Sequence, residues 1–348
     1  MTSSAEPRKV DAPDLESDVD PQAYNSRPEY RSAFYNYLRK GNSGLMPNEV
    51  RALEEGVNGE GGFTVETGLE RTIVAKVADQ NVLRSVCTII PIEGNRNVPV
   101  ESAVGAANWT AEEGAYTEAD MTFSQTTLGA HKLAAILKVS DELMVGNVLG
   151  DAGFEQYVAN YFARIFATAE EAAFANGDGS GKPTGVFNGI AAGQTQAVVT
   201  TDTLIPTDLV ALYHKLEPQY RFGASWLMHD NVAKVIREMR DASGASAATG
   251  NFMWQPGMQA GQPDRLFGSP VLVSNGCPSS VGTGTDDDAG LAVYGDFSYY
   301  YIAERGGYQF QRMNELFAAT GQVGIRAYSM LDGAVTQGSA FALLTNGS

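Results

Sequence analysis

The chain has 348 residues, of which 43% are hydrophobic and 19% charged, a composition typical of a folded globular protein. Its formal net charge is −17, from 24 basic and 41 acidic residues, which argues against a protein that grips nucleic acid through basic patches. No apolar run is long enough to span a membrane, and the N-terminus lacks the apolar core of a secretory signal.

Residues 1–60 mix charged residues with Pro, Ser and Asp and contain one short helical pattern. In this pattern Tyr30, Phe34 and Leu38 fall on one stripe, and Gly41 ends it. Such a short stripe buries little surface by itself. We therefore expect an N-terminal arm that becomes ordered only when another surface receives it.

The next stretch begins with a strand at "GFTV", followed by a helix that carries Leu69, Ile73, Val77 and Val82, and then by a buried strand over 87–92. Segment 97–131 is unusual because it contains no Lys or Arg but five carboxylates, which are Glu101, Glu112, Glu113, Glu118 and Asp120. Its flanks alternate as strands do, which predicts two long strands joined at a distal tip. A two-stranded ribbon is marginal in water, so we expect the ribbon and the arm to lie on a neighbouring copy of the chain.

A long amphipathic helix follows, of about 22 residues and roughly 33 Å. Its predicted apolar stripe consists of Phe154, Val158, Tyr161, Phe162, Ile165, Ala169 and Ala172. From Thr207 onward short helices and strands alternate. The C-terminal part is rich in strands, with a predicted hairpin that turns at Gly306–Gly307 and a strand that points Val323, Ile325 and Ala327 inward against Arg326 and Tyr328 outward.

The glycine-rich stretch "NGDGSGKPTG" at 176–185 does not match a phosphate-binding loop. Asn176 stands where a P-loop needs its first Gly, and Pro183 stands where it needs a hydroxyl. The stretch also ends a helix rather than beginning one, so it is interpreted as a turn. Three histidines and two distant cysteines, Cys87 and Cys277, form no metal-ligand pattern, and we expect both thiols to be reduced. We expect no catalytic, cofactor or metal site, and no enzyme activity.

Six segments, in order, carry a resemblance to a known family: "GEGGFTVETGLERTIV", "TFSQTTLGAHKLAAILKVSDELM", "EEAAFANGDGSGKPTGVFNGI", "LFGSPVLVSNGCP", "AVYGDFSYYYIAERGG" and "VGIRAYSMLDGAV". Together they resemble the major capsid proteins of tailed phages, of the Hong Kong ninety-seven type, over roughly residues 49–348. The resemblance implies an α+β fold with an N-arm, an E-loop, a P-domain with a spine helix and antiparallel strands, and an A-domain.

Mapped onto this sequence, the resemblance divides the chain into the following parts: an N-terminal arm over 1–60, the first part of the P-domain over 61–96, the E-loop over 97–131, the P-domain with its spine helix over 132–205, the A-domain over 206–296, the C-terminal P-domain strands over 297–332 and a return strand of the A-domain over 333–348. It implies a shell of hexamers and pentamers around packaged double-stranded DNA that is enclosed without specific binding. The implied partners are further copies of the chain, a portal, a scaffolding protein or prohead protease, and a decoration protein. The implied location is the virion capsid, assembled in the cytoplasm of the bacterial host.

Contacts between subunits are expected at Tyr30, Phe34, Trp109, Glu112, Glu113, Tyr116 and Phe123. Packing of Trp109 within the ribbon and simple solvation of Glu112 and Glu113 stay open as alternatives. Some relatives link their subunits through an isopeptide bond between an E-loop Lys and a P-domain Asn, aided by a Glu. This E-loop has no Lys, and Asn314 and Glu315 are sequence neighbours that would point apart in a strand. We therefore expect a shell without cross-links.

Three other functions stay open at this point. An encapsulin-like compartment would share the fold and hold protein cargo, although the long arm and E-loop favour the viral shell. A hydrolase or nucleotide-using enzyme is disfavoured by the failed loop motif. A monomeric binding module is disfavoured by two extensions that lack support within one chain.

Overall fold

The computed structural model describes the chain over residues 27–41, 44–54, 57–58, 62–64, 67–103, 122–140, 150–198, 204–240, 250–257, 263–279, 290–313, 316–317 and 320–346. The described α-helices are α1 (Pro28–Lys40), α2 (Pro47–Glu54), α3 (Thr67–Gln80), α4 (Val82–Val86), α5 (Gly150–Asn176), α6 (Val186–Gly189), α7 (Pro206–Lys215) and α8 (Asp230–Glu238). The described strands are β1 (Val57–Asn58), β2 (Gly62–Thr64), β3 (Thr88–Pro91), β4 (Arg96–Ala103), β5 (Thr122–Leu128), β6 (His131–Ser140), β7 (Thr195–Ala197), β8 (Ser225–Met228), β9 (Trp254–Gln255), β10 (Arg265–Leu266), β11 (Ser269–Val273), β12 (Gly290–Gly295), β13 (Tyr300–Met313), β14 (Gln322–Val335) and β15 (Phe341–Thr345). None of the described helices is long and apolar enough to cross a membrane.

The first sheet is built around two long antiparallel strands, β13 and β14. Its strand order is β1-β2-β13-β14-β6, and β3 pairs with β13 in parallel. As predicted, Val323, Ile325 and Ala327 point into the core, where they are at most 4% exposed. Arg326 and Tyr328 point to the opposite face, as predicted, although Tyr328 is itself buried.

The prediction of a hairpin at Gly306–Gly307 is wrong, because β13 runs through both glycines as one strand of 14 residues. The register shifts here: Arg305 lies opposite Met330, whereas Gln309 lies opposite Tyr328. The extra residues form a bulge in which Gly306 and Gly307 have φ values of 71° and 64°. A glycine pair with positive φ suits a tight turn and a bulge equally well, so the sequence pattern alone does not distinguish the two.

Helix α5 is the predicted spine, and its 27 residues exceed the expected length. It packs on the inner face of the first sheet, where Phe162 contacts Phe310 edge to face at 5.1 Å between ring centroids. The predicted apolar stripe holds for Phe154, Val158 and Phe162, which are buried. It is wrong for the second half of the helix, because Ala172 is exposed while Phe166 and Phe174 are buried.

The prediction that the N-terminal stripe needs a neighbouring subunit is wrong for helix α1, which packs on its own chain. Tyr30 and Phe34 are 1% and 0% exposed, and both belong to the core formed by α5 and the first sheet of the same chain. The ring of Phe34 lies 6.5 Å from that of Phe310, edge to face. The guanidinium of Arg312 donates to the carbonyl of Leu38 over 2.8 Å, which ties the helix end to β13. The described part of the arm thus packs against its own chain.

The second sheet has the order β7-β15-β12-β8-β11-β10-β9 and confirms the alternating helices and strands predicted after residue 206. Strand β15 returns from the C-terminal end to pair with β12, from Gly295 opposite Phe341 to Gly290 opposite Thr345. Helices α7 and α8 contribute Leu209, Leu212 and Ile236 to its core. The predicted domain boundaries stay predictions, and β7 already belongs to the second sheet although it precedes residue 206.

Strands β4 and β5 form the predicted ribbon as a sheet of their own. They pair antiparallel from Arg96 opposite Leu128 to Ala103 opposite Thr122. The root of the ribbon packs on the first sheet through Leu128, which lies in a small buried cluster with Ile92 and Ala303. The tip, residues 104–121, lies outside the described residues.

Candidate assembly surfaces

The residues expected to contact a neighbouring subunit fall into two groups. Tyr30 and Phe34 are buried inside their own chain, so they offer no accessible ring to a neighbour and their assignment as intersubunit contacts is corrected. The other expected contacts lie on the ribbon: Trp109, Glu112, Glu113 and Tyr116 are outside the described residues, and the backbone of Phe123 lies in β5 opposite Glu101. Their roles stay predictions, as does the absence of a cross-link at Asn314 and Glu315, which are also outside the described residues.

The root of the ribbon is held by a carboxylate of the first sheet. Asp332 Oδ2 accepts a hydrogen bond from the backbone N–H of Gly129 over 2.6 Å, and Oδ1 accepts from the N–H of Gly333 over 2.8 Å. His131 Nε2 lies 3.7 Å from Oδ1. Burial raises the pKa of Asp332, and the two backbone donors and His131 oppose this rise. Since Gly129 links β5 to β6, this carboxylate fixes the point at which the ribbon leaves the sheet.

The outer face of the first sheet, which is turned away from α5, carries a group of cations. Strand β6 exposes alternate residues, among them Lys132 and Lys138. Arg326 of β14 lies opposite Ile136 of β6, and its Nη2 donates to Gln311 Oε1 over 2.5 Å. Arg305 shares this face by register, because it lies opposite Met330, which itself lies opposite Lys132. We call these four residues, Lys132, Lys138, Arg305 and Arg326, the basic face.

A buried ionic cluster joins the spine to the first sheet. Arg84 of α4 places Nε 2.7 Å from Oε2 of Glu170 and Nη1 2.5 Å from Oε1 of Glu304. The hydroxyl of Tyr308 donates to Glu170 Oε1 over 3.3 Å. Glu304 and Tyr308 flank the β13 bulge, so the cluster connects α4, α5 and the bulged strand.

The side chain of Glu170 is 0% exposed, and both of its oxygens accept hydrogen bonds within the chain. Burial raises the pKa of Glu170, while the guanidinium of Arg84 opposes the rise. Burial alone would lower the pKa of Arg84, but the carboxylates of Glu170 and Glu304 raise it. This arrangement fits a structural ion pair, because a charge removed from water needs its partner in place.

Sequence reasoning missed this cluster, because Glu170 and Glu171 are adjacent on a helix and do not face each other, which gave Glu170 no evident partner. A signal was present, because Glu170 lies four residues after Phe166 and four before Phe174, both of which are buried. A carboxylate within an apolar stripe at helical spacing indicates a buried partner. The basic face was also missed, although Lys132 and Lys138 alternate with the apolar residues of β6.

The glycine-rich segment after α5 is a turn, as predicted. Asp178 and Thr184 pair across it, and Gly179 and Gly181 have φ values of 76° and 69°. Cys87 and Cys277 are both free thiols, as predicted, and burial raises the pKa of each to about 12. In the part of the chain that the structure describes, no three His, Cys, Asp or Glu side chains are grouped as metal ligands.

Comparison with known proteins gives one family and a set of similar structures. The model of the phage capsid family matches residues 61–346. The capsid of an empty GTA particle is 29% identical, with a TM-score of 0.63, and the match covers 77% of this chain and 90% of that one. The capsid of the native GTA particle is 28% identical at the same TM-score of 0.63, covering 89% and 97%. No curated protein matches the sequence.

A structure from Microbacterium phage Oxtober96 is 18% identical with a TM-score of 0.55, covering 76% of this chain and 90% of that chain. At this identity the likeness concerns the fold alone.

Proposed function

The chain belongs to the phage capsid family, and we propose that it is the major subunit of a tailed-phage shell, assembled as hexamers and pentamers with icosahedral symmetry. Its α+β fold is of the Hong Kong ninety-seven type, as the sequence resemblance predicted. The shell would enclose packaged double-stranded DNA. Its location would be the virion capsid, assembled in the cytoplasm of the bacterial host.

The observation that carries this proposal is the ribbon of β4 and β5. In the described part of the chain these strands pair only with each other. A two-stranded ribbon is marginal in water unless another surface covers it. A shell subunit supplies that surface on each neighbour, and many weak contacts repeated around a closed lattice produce a stable particle.

The shell subunits would be held together without covalent cross-links and would be joined by other virion proteins. We propose noncovalent cohesion, because residues 97–131 contain no Lys for an isopeptide bond. A portal, a scaffolding protein or prohead protease, and a decoration protein would complete the particle. The acidic charge would keep DNA phosphates from adhering to the inner surface. A subunit in this role needs no catalytic centre.

The test is to purify the full-length chain and examine it by electron microscopy and by analytical ultracentrifugation across a range of concentrations. The proposal predicts closed angular shells whose subunits run as single chains after boiling in detergent. A compact monomer at the highest concentration reached, with or without scaffold, would overturn it. Small spheres filled with protein would favour an encapsulin-like compartment instead.

A further inference from the structure

A polar layer divides the buried interior between α5 and the first sheet into two apolar parts. On α5, Phe166 belongs to one cluster of buried residues and Phe174 to another, and Glu170 lies midway between them. Arg84 of α4 joins Glu170 to Glu304 of β13 at this level. Polar groups at such a boundary are unfavourable unless each of them has a hydrogen-bond partner.

Ser329 of β14 belongs to the same polar layer, but its hydroxyl differs from the other polar groups there. It lies between Ala327, which belongs to the first cluster, and Leu331, which belongs to the second. The side chain of Ser329 is buried, and its Oγ has no hydrogen-bond partner among the described residues. Leaving a buried hydroxyl without a partner is unfavourable. Ser329 therefore needs a partner that these residues do not supply.

The bulge in β13 explains why the neighbouring strand does not supply this partner. Arg305 lies opposite Met330, and Gln309 lies opposite Tyr328. Ser329, which lies between Tyr328 and Met330, has no register partner on β13. A bulge disrupts the ladder locally and leaves space beside the strand that faces it.

A cavity of about 60 Å³ lies beside the bulge. Its polar lining includes Arg84, Glu304, Tyr308 and Ser329. One water molecule takes up about 30 Å³ in the liquid, so the cavity has room for about two. Val74 also lines the cavity and is 41% exposed, which gives solvent a route to it.

The groups that line the cavity suit water better than an ion. Arg84 donates from Nε to Glu170, and its Nη1 lies 2.5 Å from Oε1 of Glu304. In the described part of the chain, these contacts leave Nη2 of Arg84 as a donor and Oε2 of Glu304 as an acceptor, and the hydroxyl of Ser329 can act as either. A buried water needs two to four such partners. The carboxylate repels an anion and the guanidinium repels a cation, whereas water can bind to both.

We propose that ordered water occupies this cavity and bridges the hydroxyl of Ser329 to Arg84 and Glu304. The water replaces the cross-strand partner that the bulge removes, and it completes the polar layer between the two apolar clusters. A water molecule that bridges two buried polar groups is nearly as favourable in enthalpy as a direct hydrogen bond. The site lies within one subunit, so it does not depend on assembly of a shell.

The first experiment measures urea unfolding of dissociated full-length subunits for the wild type, Ser329→Ala and the control Ser279→Ala, whose side chain is exposed. We expect Ser329→Ala to lower the equilibrium constant for folding about fivefold, because the bridging water loses a partner. The control should stay within about twofold. Without water in the cavity, Ser329→Ala removes an unsatisfied hydroxyl, so an unchanged or higher constant for this variant would overturn the proposal.

The second experiment looks for the water directly, in a density map of subunit crystals or of shells at a resolution that shows ordered water. We expect a discrete peak within about 3 Å of Ser329 Oγ in the wild type. The peak should be absent in Ser329→Val, which extends a side chain without a hydroxyl towards the cavity. A wild-type map without a peak at this place would overturn the proposal, and it decides alone if the variants fail to fold.

The third experiment distinguishes water from a bound ion. The difference in stability between the wild type and Ser329→Ala is measured in sodium chloride, potassium chloride and sodium sulfate at equal ionic strength. Water predicts the same difference in all three salts. A difference that follows the identity of the cation or of the anion would show that an ion occupies the cavity, because a ligand of the folded state stabilises it in proportion to its concentration and affinity, and would overturn the proposal.

Discussion

The strand pair β12–β15 and the ribbon β4–β5 are both antiparallel pairs, but they differ in burial and in the number of neighbouring strands. Strand β15 is buried at every residue and lies between β7 and β12, while β12 lies between β15 and β8. The ribbon strands have no other strand partner in the described part of the chain. Fully buried strands are mostly apolar, as "FALLT" is, whereas the ribbon sequence "TFSQTTL" is largely polar. One region is complete within the subunit, and the other has open edges for a neighbour.

The largest expected effect comes from truncating the self-contained core. Phe310 is fully buried between Phe34 and Phe162. We expect Phe310→Ala to lower the free energy of unfolding of dissociated subunits by about 4 kcal/mol, through lost burial and the cavity left behind. Urea titration followed by circular dichroism measures this.

The matched control is Ile136→Ala on the outer face of the same sheet, where the side chain is 43% exposed. We expect it to change the stability of the subunit by less than about 1 kcal/mol. Equal losses of stability at the two positions would contradict the distinction between a buried inner face and an exposed outer face of the first sheet.

The next effect concerns the ion pair that ties the spine to β13. We expect Arg84→Met to lower subunit stability by about 3 kcal/mol, because it leaves Glu170 buried without its cation. The double variant Arg84→Met/Glu170→Leu should regain most of the loss, since a well-packed apolar pair replaces the ionic one. A double variant that is less stable than Arg84→Met would show that the cluster contributes through more than mutual neutralisation.

A smaller effect is expected at the root of the ribbon. Both Asp332 oxygens accept from backbone N–H groups, and Asp332→Asn replaces one of them with an NH2 that cannot accept, so we expect a cost of about 1 kcal/mol at low pH. Because burial raises the pKa of Asp332 in the folded chain, the native state binds this proton more tightly than the unfolded state. The advantage of the wild type over Asp332→Asn should therefore shrink as pH rises from below 4 through the raised pKa, by at most about 1.4 kcal/mol per pH unit. Unfolding curves of both proteins from pH 3 to 7 measure the difference, and an advantage that grows with pH would contradict the assignment.

The regular elements could be predicted from the sequence because their signals are local. The spine helix, the alternating helices and strands after residue 206, and the paired flanks of the ribbon follow from patterns over consecutive residues. The stripe of Tyr30, Phe34 and Leu38 was also visible. The residues that bury this stripe, Phe310 and Phe162, could not be predicted because they lie far away along the chain.

The parts that were missed depend on contacts between distant segments. A pair of glycines at 306–307 takes positive φ in a turn or in a bulge, and only the length of β14 on the other side decides between them. Glu170 meets its partner Arg84 across 86 positions of sequence. The basic face appears only once β6, β14 and β13 lie side by side in register.

Hydrogen–deuterium exchange of the ribbon amides, compared between dissociated subunits and assembled shells, tests most directly whether neighbours complete this chain. We expect the amides of β4 and β5 to exchange fast in free subunits and to become strongly protected in shells, while those of β12 and β15 are protected in both. Ribbon amides that are protected equally in free subunits would contradict the account, because the ribbon would then be complete within its own chain.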